Sequence, residues 1–155
     1  MPKPLWAPWR LAYIERADEQ PGCIFCSPEP ELLVHEGERA LAVLNKYPYA
    51  PGHVMVAPRR HTGDYRDLTD GEAAEINDLT RRTLESLAAA YRPQGYNLGW
   101  NLGRVGGAGI VDHVHEHVVP RWLGDTNFMP VLADTRVMPE ALAETARRLR
   151  AAWPQ

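Results

Sequence analysis

Hydrophobic positions change period along the chain, and the changes mark out strands and helices. Glu31–Val34 and Ala40–Leu44 are short apolar runs joined by a turn at Glu36-Gly37-Glu38, which predicts a hairpin. Pro48 and Pro51-Gly52 mark a tight loop, and His53-Val-Met-Val-Ala57 then predicts a buried strand ending at Pro58. Thr69-Asp-Gly-Glu72 has the residues of a capping box, and Ala73, Ile76, Leu79, Thr80, Thr83, Leu84 and Leu87 follow at helical spacing. That helix should stop near Tyr91, because Pro93 disfavours helix in Arg92 and Gly95 follows. Tyr96–Leu102 alternates as a strand does, Arg104–Gly109 is a glycine-rich loop, and Val111–Val119 alternates again. A last helix is expected to begin near Pro139 and run through Leu142, Ala146 and Leu149. Strands close in sequence with helices beside them predict an α+β fold: a mostly antiparallel sheet with one long helix and a C-terminal helix.

No repeat or polar linker divides the 155 residues, so a single domain over 1–155 is expected. Residues 1–30 read as an irregular arm, with Trp6, Trp9 and Tyr13 set among Pro2, Pro4 and Pro8. Apolar residues make up 45%, enough for a core, and the composition excludes disordered, collagen-like and coiled-coil chains. The net charge of −3 argues against nucleic acid held by a general basic field. Apolar runs fall far short of the roughly 18 residues that cross a bilayer, and prolines and tryptophans occupy the place of a signal peptide. A cytoplasmic location with neither membrane nor nucleic-acid partner is therefore expected. Two cysteines cannot build a disulfide scaffold, but two cysteines with six histidines raise the question of position.

His113-Val-His115-Glu-His117-Val-Val119 is the most informative stretch. On a strand, residues two apart share a face, so the three imidazoles would line up, whereas a helix would turn His115 roughly 160° away from the other two. Three adjacent imidazoles are hard to satisfy as core packing, since each carries two ring nitrogens needing partners. Two functional readings follow. Metal ligation suits neighbouring histidines, yet three along one strand span about 13 Å, too far for one ion. Alternatively, the central His115 is a neutral nucleophile, with a neighbour on each side to orient it and stabilise charge.

His-x-His-x-His followed by two apolar residues resembles the signature of the histidine-triad superfamily of nucleotide hydrolases and transferases. The upstream segment Asn45–His61, the downstream Val118–Pro130, and the N-terminal Leu5-Trp-Ala-Pro-Trp-Arg and Gly22-Cys-Ile-Phe-Cys26 are similar to the bacterial branch assigned as diadenosine tetraphosphate phosphorylases. The resemblance implies that His115 attacks an α-phosphate to form a covalent nucleotidyl-histidine, that His117 contacts the phosphoryl oxygens, and that His53 is an additional active-site histidine. It implies a ribose contact for Asn45, nucleobase contacts for Ile24, Phe25 and Val43, and a polar contact for Asn101 if the glycine loop is one residue longer than usual. A homodimer and a nucleotide substrate are implied with it. Two positions depart from the pattern. Glu116 stands where an apolar residue is expected and should face away from the histidines, toward a subunit interface, a basic side chain or solvent. Ile110 stands where many members carry a phosphate-binding Ser or Thr, which leaves phosphate to backbone N–H groups.

Gly106-Gly-Ala-Gly109 can turn tightly and present N–H groups of Gly107, Ala108 and Gly109 to phosphate; standing alone it would read as a plain connection. Cys23-Ile-Phe-Cys26 has the gap with which two thiolates share one tetrahedral zinc, though two reduced thiols beside the nucleobase are the alternative. The superfamily's zinc-containing members imply His61 and His113 as the closing ligands, a structural site. No organic cofactor is expected, and His35 reads as an ordinary strand residue. The function expected is nucleotidyl transfer on dinucleoside polyphosphates, by phosphorolysis or hydrolysis. The alternatives are a nucleoside phosphoramidase of the same superfamily and a non-catalytic nucleotide-binding protein.

Overall fold

A computed structural model describes residues 22–126 and 138–155. Five strands form one sheet: β1 (Leu33–Glu36), β2 (Ala40–Leu44), β3 (Val54–Pro58), β4 (Gly95–Trp100) and β5 (Glu116–Arg121), in the order β1-β2-β3-β5-β4. Every neighbouring pair is antiparallel. The helices are α1 (Asp70–Tyr91) and α2 (Leu142–Ala151), with a short 3-10 turn at Tyr65–Asp67. The fold is thus the α+β arrangement the sequence predicts. Tryptophans 6 and 9, Tyr13 and the start of the N-terminal arm lie outside the described residues.

Helix α1 begins where its capping box places it: the Thr69 hydroxyl accepts from the Glu72 N–H, and the Glu72 carboxylate accepts from the Thr69 N–H. It ends at Arg92, which takes a left-handed conformation (φ 50°) immediately before Pro93. Its apolar stripe, with Ile76, Leu79 and Leu87, covers the middle of the sheet. Strands β2 and β3 are buried on both faces along their whole length, which explains their unbroken apolar runs. Helix α2 starts at Leu142, three residues after Pro139.

Three predicted strands shift, and one of them, β4, runs Gly95–Trp100 rather than Tyr96–Leu102. Strand β1 starts at Leu33 rather than Glu31, because Glu29–Leu32 forms a turn in which Leu32 and Leu33 N–H both donate to the Glu29 carbonyl. The last strand starts at Glu116 rather than Val111. The ladder with β3 runs only from Val54↔Val118 to Val56↔Glu116. Beyond it the Val114 N–H donates to the Thr62 carbonyl, and the backbone of Pro58 has no N–H to offer. His113 and His115 therefore stand on irregular backbone, and only His117 lies on the strand. Glu116 faces α1: its carboxylate accepts the Thr80 hydroxyl proton at 2.5 Å. Its polar partner there is a hydroxyl rather than a basic side chain, and the residue is half-buried.

Candidate active site

The register across the sheet sets the site's floor. Met55 pairs with both Val43 and His117, so these three residues line up across β2, β3 and β5 on the face opposite Glu116. The segment of residues 22–32 and the approach to β5 cover that face.

His115 is almost fully buried, and its Nδ1–H donates to the carbonyl of His113 at 2.8 Å. With the proton held on Nδ1, Nε2 keeps its lone pair, and it has no hydrogen-bond partner among the described residues. Burial disfavours the imidazolium and lowers the pKa of His115 below its usual value, with the carbonyl contact opposing in part. The ring is neutral and nucleophilic near pH 7.

A second chain of hydrogen bonds orders His117. The Tyr49 N–H donates to His53 Nδ1 at 3.0 Å, so neutral His53 carries its proton on Nε2. That Nε2–H donates to His117 Nδ1 at 2.9 Å, which leaves His117 with its own proton on Nε2. The rings of His115 and His117 meet edge to face with centroids 4.9 Å apart. A lone pair on one ring thus stands beside an N–H donor on the next. His53 itself is completely buried.

His113 belongs to a different cluster. Its Nε2–H donates to the Pro58 carbonyl at 2.7 Å, which turns Nδ1 toward Cys23 Sγ at 3.2 Å and Cys26 Sγ at 3.7 Å. His61 Nδ1 lies 3.3 Å from Cys26 Sγ, and the four ligand atoms all lie within 4.8 Å of one another. A tetrahedral ion with bonds of about 2.3 Å to sulfur and about 2.0 Å to nitrogen separates its ligands by roughly 3.5 Å. The observed spacings match that, and the Pro58 carbonyl supplies the outer contact that metal-bound imidazoles ordinarily make. The set can hold a metal ion. Burial pushes the Cys26 thiol up and the His113 imidazole down, with Cys23 and His61 respectively reinforcing each shift.

A pocket of about 230 Å³ opens beside the triad, lined by Ile24, Leu32, Val43 and Leu44, with Cys23 in its wall and a Glu29–Lys46 ion pair (2.7 Å) at its edge. Ile24 and Val43 line this pocket. Phe25 does not; it is buried beneath the triad, its ring 5.0 Å from His113 and 4.9 Å from His115. Asn45 follows the pocket wall and is buried, its Oδ1 accepting the Tyr47 N–H at 2.8 Å. Its Nδ2 amide, the outward donor, has no partner among the described residues. Asn101 turns inward to the glycine loop, donating to the Gly107 carbonyl at 3.5 Å.

The glycine loop supplies fewer free donors than its sequence promises. The Gly107 N–H donates to the Arg104 carbonyl and the Ala108 N–H to the Gly103 carbonyl, while Gly107 takes φ 92°. Among the described residues, the N–H groups of Gly109 and Ile110 have no partner. Ile110 itself packs its side chain on the core. His35 sits on β1, stacked on Trp153 at 4.7 Å, far from this chemistry. Residues that sequence reading missed are Tyr49, Pro58 through its carbonyl, and the Glu29–Lys46 pair. Only Lys46, next to Asn45, had a positional clue.

Fold and site together define a histidine-cluster protein of the nucleotide-binding kind, and the chain belongs to the HIT domain family, whose pattern matches residues 27–122. It is 39% identical to the AP-4-A phosphorylase of Mycobacterium tuberculosis over 96% of this chain and 83% of that protein. It is 32% identical to the adenosine 5′-monophosphoramidase of Schizosaccharomyces pombe over 64% of this chain and 72% of that one. A zinc-bound histidine triad family protein from Mycobacterium smegmatis superposes with a TM-score of 0.68 at 30% identity, covering 84% and 92% of the two chains. The cysteine pair lies upstream of the matched family region.

Proposed function

We propose that the protein is an enzyme that cleaves dinucleoside polyphosphates such as diadenosine tetraphosphate through a nucleotidyl-histidine on His115. The observation that carries this is the tautomer set by two independent hydrogen-bond chains: a free Nε2 lone pair on His115 beside an Nε2–H donor on His117. That pairing suits attack on phosphorus, where the nucleophile needs a lone pair and the equatorial oxygens need a donor. The base enters the pocket of Ile24 and Val43, Asn45 Nδ2 donates to a ribose hydroxyl, and the N–H groups of Gly109 and Ile110 meet phosphate oxygens.

In the first step His115 Nε2 forms a bond to the α-phosphorus, and the P–O bond to the remaining polyphosphate breaks, releasing ATP from diadenosine tetraphosphate. In the second step an oxygen of orthophosphate or water attacks the same phosphorus and the P–N bond breaks, giving ADP or AMP. The nucleophile returns unchanged. Phosphorolysis is the favoured course because a likeness that spans 96% of the chain is to a phosphorylase. The phosphoramidase relative supports a second reading, in which the same nucleophile displaces an amine instead of a polyphosphate.

In the same reading Cys23, Cys26, His61 and His113 hold zinc as a structural tie between the N-terminal segment and the triad. A reducing, cytoplasmic setting keeps the thiols available to it. The half-exposed Leu98 and Leu102, on and beside the outermost strand β4, offer apolar surface for a homodimer. Product analysis tests the function. With orthophosphate, diadenosine tetraphosphate should yield ADP and ATP; cleavage of adenosine phosphoramidate alone would overturn the proposal.

A further inference from the structure

We propose that Tyr49 is a positioning residue for this reaction, acting on His117 through both its backbone and its ring. The inference rests on His117 as the donor to the transferring phosphoryl group. Tyr49 lies on the β2–β3 loop, between Pro48 and the turn at Pro51-Gly52, where the His53 N–H donates to the Ala50 carbonyl at 3.2 Å. Gly52 takes φ 81°, and a Cβ there would come within 2.9 Å of Leu87 Cδ2, so the turn admits no larger residue without a shift. Prolines and turn together hold the Tyr49 N–H on His53 Nδ1.

The backbone contact gives the hydrogen-bond chain its direction. Because His53 Nδ1 accepts, its proton must lie on Nε2, and His117 must then carry its own proton on Nε2. The ring does the rest: it lies 4.5 Å from the His53 ring and nearly parallel to the His117 ring, 5.7 Å away with an interplanar angle of 19°. A stacked aromatic face limits rotation of His117 about its side-chain torsions. One residue thereby fixes both which nitrogen of His117 carries the proton and where that proton points.

The test compares Tyr49→Leu, Tyr49→Phe and Tyr49→Trp in the full chain. Loss of the ring should lower kcat roughly tenfold with KM for diadenosine tetraphosphate within about twofold, since small misplacements of catalytic groups act on kcat. The Phe variant should recover most of that loss, because it restores the face. In a His117→Asn background, Tyr49→Leu should cost nothing further. Nitrogen-15 shifts of His117 read the tautomer without turnover: Tyr49→Leu, which keeps the backbone N–H, should leave the proton on Nε2 but broaden the ring signals. Wild-type kcat in Tyr49→Leu, a rise in KM alone, or a full additional loss in the His117→Asn background would each overturn the proposal. If Tyr49→Leu fails to fold, a Trp variant as slow as His117→Asn overturns it equally. Wild-type protein that leaves the dinucleotide intact refutes the functional reading instead, while the His117 spectra still report on Tyr49.

Discussion

His53 makes two hydrogen bonds from two nitrogens, and two substitutions separate them. The amide nitrogen of Gln reaches the place of His Nε2, while the amide oxygen of Asn reaches the place of Nδ1. His53→Gln therefore keeps the donor to His117 and gives up the acceptor for the Tyr49 N–H; His53→Asn does the reverse. Each variant leaves one polar group without its partner at a site that is 0% exposed, so each should lose about 1–3 kcal/mol of stability. Catalysis should not fall in parallel. Without a donor at Nδ1, His117 is free to exchange tautomers and to rotate, and one hydrogen bond worth about 1.4 kcal/mol corresponds to about tenfold in rate. The Asn variant should thus lose at least about tenfold in kcat, and the Gln variant no more than about threefold, with KM near wild type in both. Steady-state kinetics on diadenosine tetraphosphate, paired with thermal melts, reads both quantities. Equal kcat in the two variants, or a slower Gln variant, would refute the reasoning that a directed hydrogen-bond chain activates His117.

Three further outcomes are expected. The kcat/KM profile should hold up at acid pH to below 6.5, the ordinary imidazole value, because burial lowers the His115 pKa and the rate falls only as that lowered pKa is crossed; an acid limb above 6.5 counts against His115. Arg60 makes two hydrogen bonds to Glu72 and holds its carboxyl down to about 2, so this contribution is complete above about 4.5 and lost as pH falls toward 2. Allowing for the exposed Arg60 head group, Glu72→Gln should cost about 1–2 kcal/mol in denaturant melts at pH 7 and nothing near pH 2. Cys26→Ser should break the Cys/His cluster. If zinc stands a thousandfold above its dissociation constant, its loss removes about 4 kcal/mol and roughly 10 °C in Tm, and a chelator should lower the wild-type Tm to match; a wild-type Tm indifferent to chelator argues against the metal.

Much of the fold was legible because local signals agreed with packing. The Thr69–Glu72 box, the stripe on α1 and the stop before Pro93 each carry their own physics, as do the apolar runs of β2 and β3. The triad was legible as a cluster of imidazoles, but the argument from three aligned strand positions fails in detail, since His113 and His115 precede the strand. What moved them is tertiary: the Pro58 carbonyl takes the His113 proton, and Thr62 takes the Val114 N–H. The same limit applies to the glycine loop, whose Gly107 and Ala108 donors are used within the loop, and to Phe25, which packs beneath the histidines instead of lining the pocket. Tyr49 had no periodic signal at all. Its place against His53 and His117 arises from two prolines and a glycine acting across a loop, which spacing does not encode.

The central claim is a covalent nucleotidyl group on one nitrogen of one histidine. The most direct measurement is to mix enzyme with excess diadenosine tetraphosphate in the absence of orthophosphate, quench within a turnover under alkaline conditions that preserve P–N bonds, and map adducts by peptide mass spectrometry. An AMP adduct on His115, absent from His115→Asn, is the predicted result. An adduct on His113 or His117, or turnover that proceeds in His115→Asn at the wild-type rate, would contradict it.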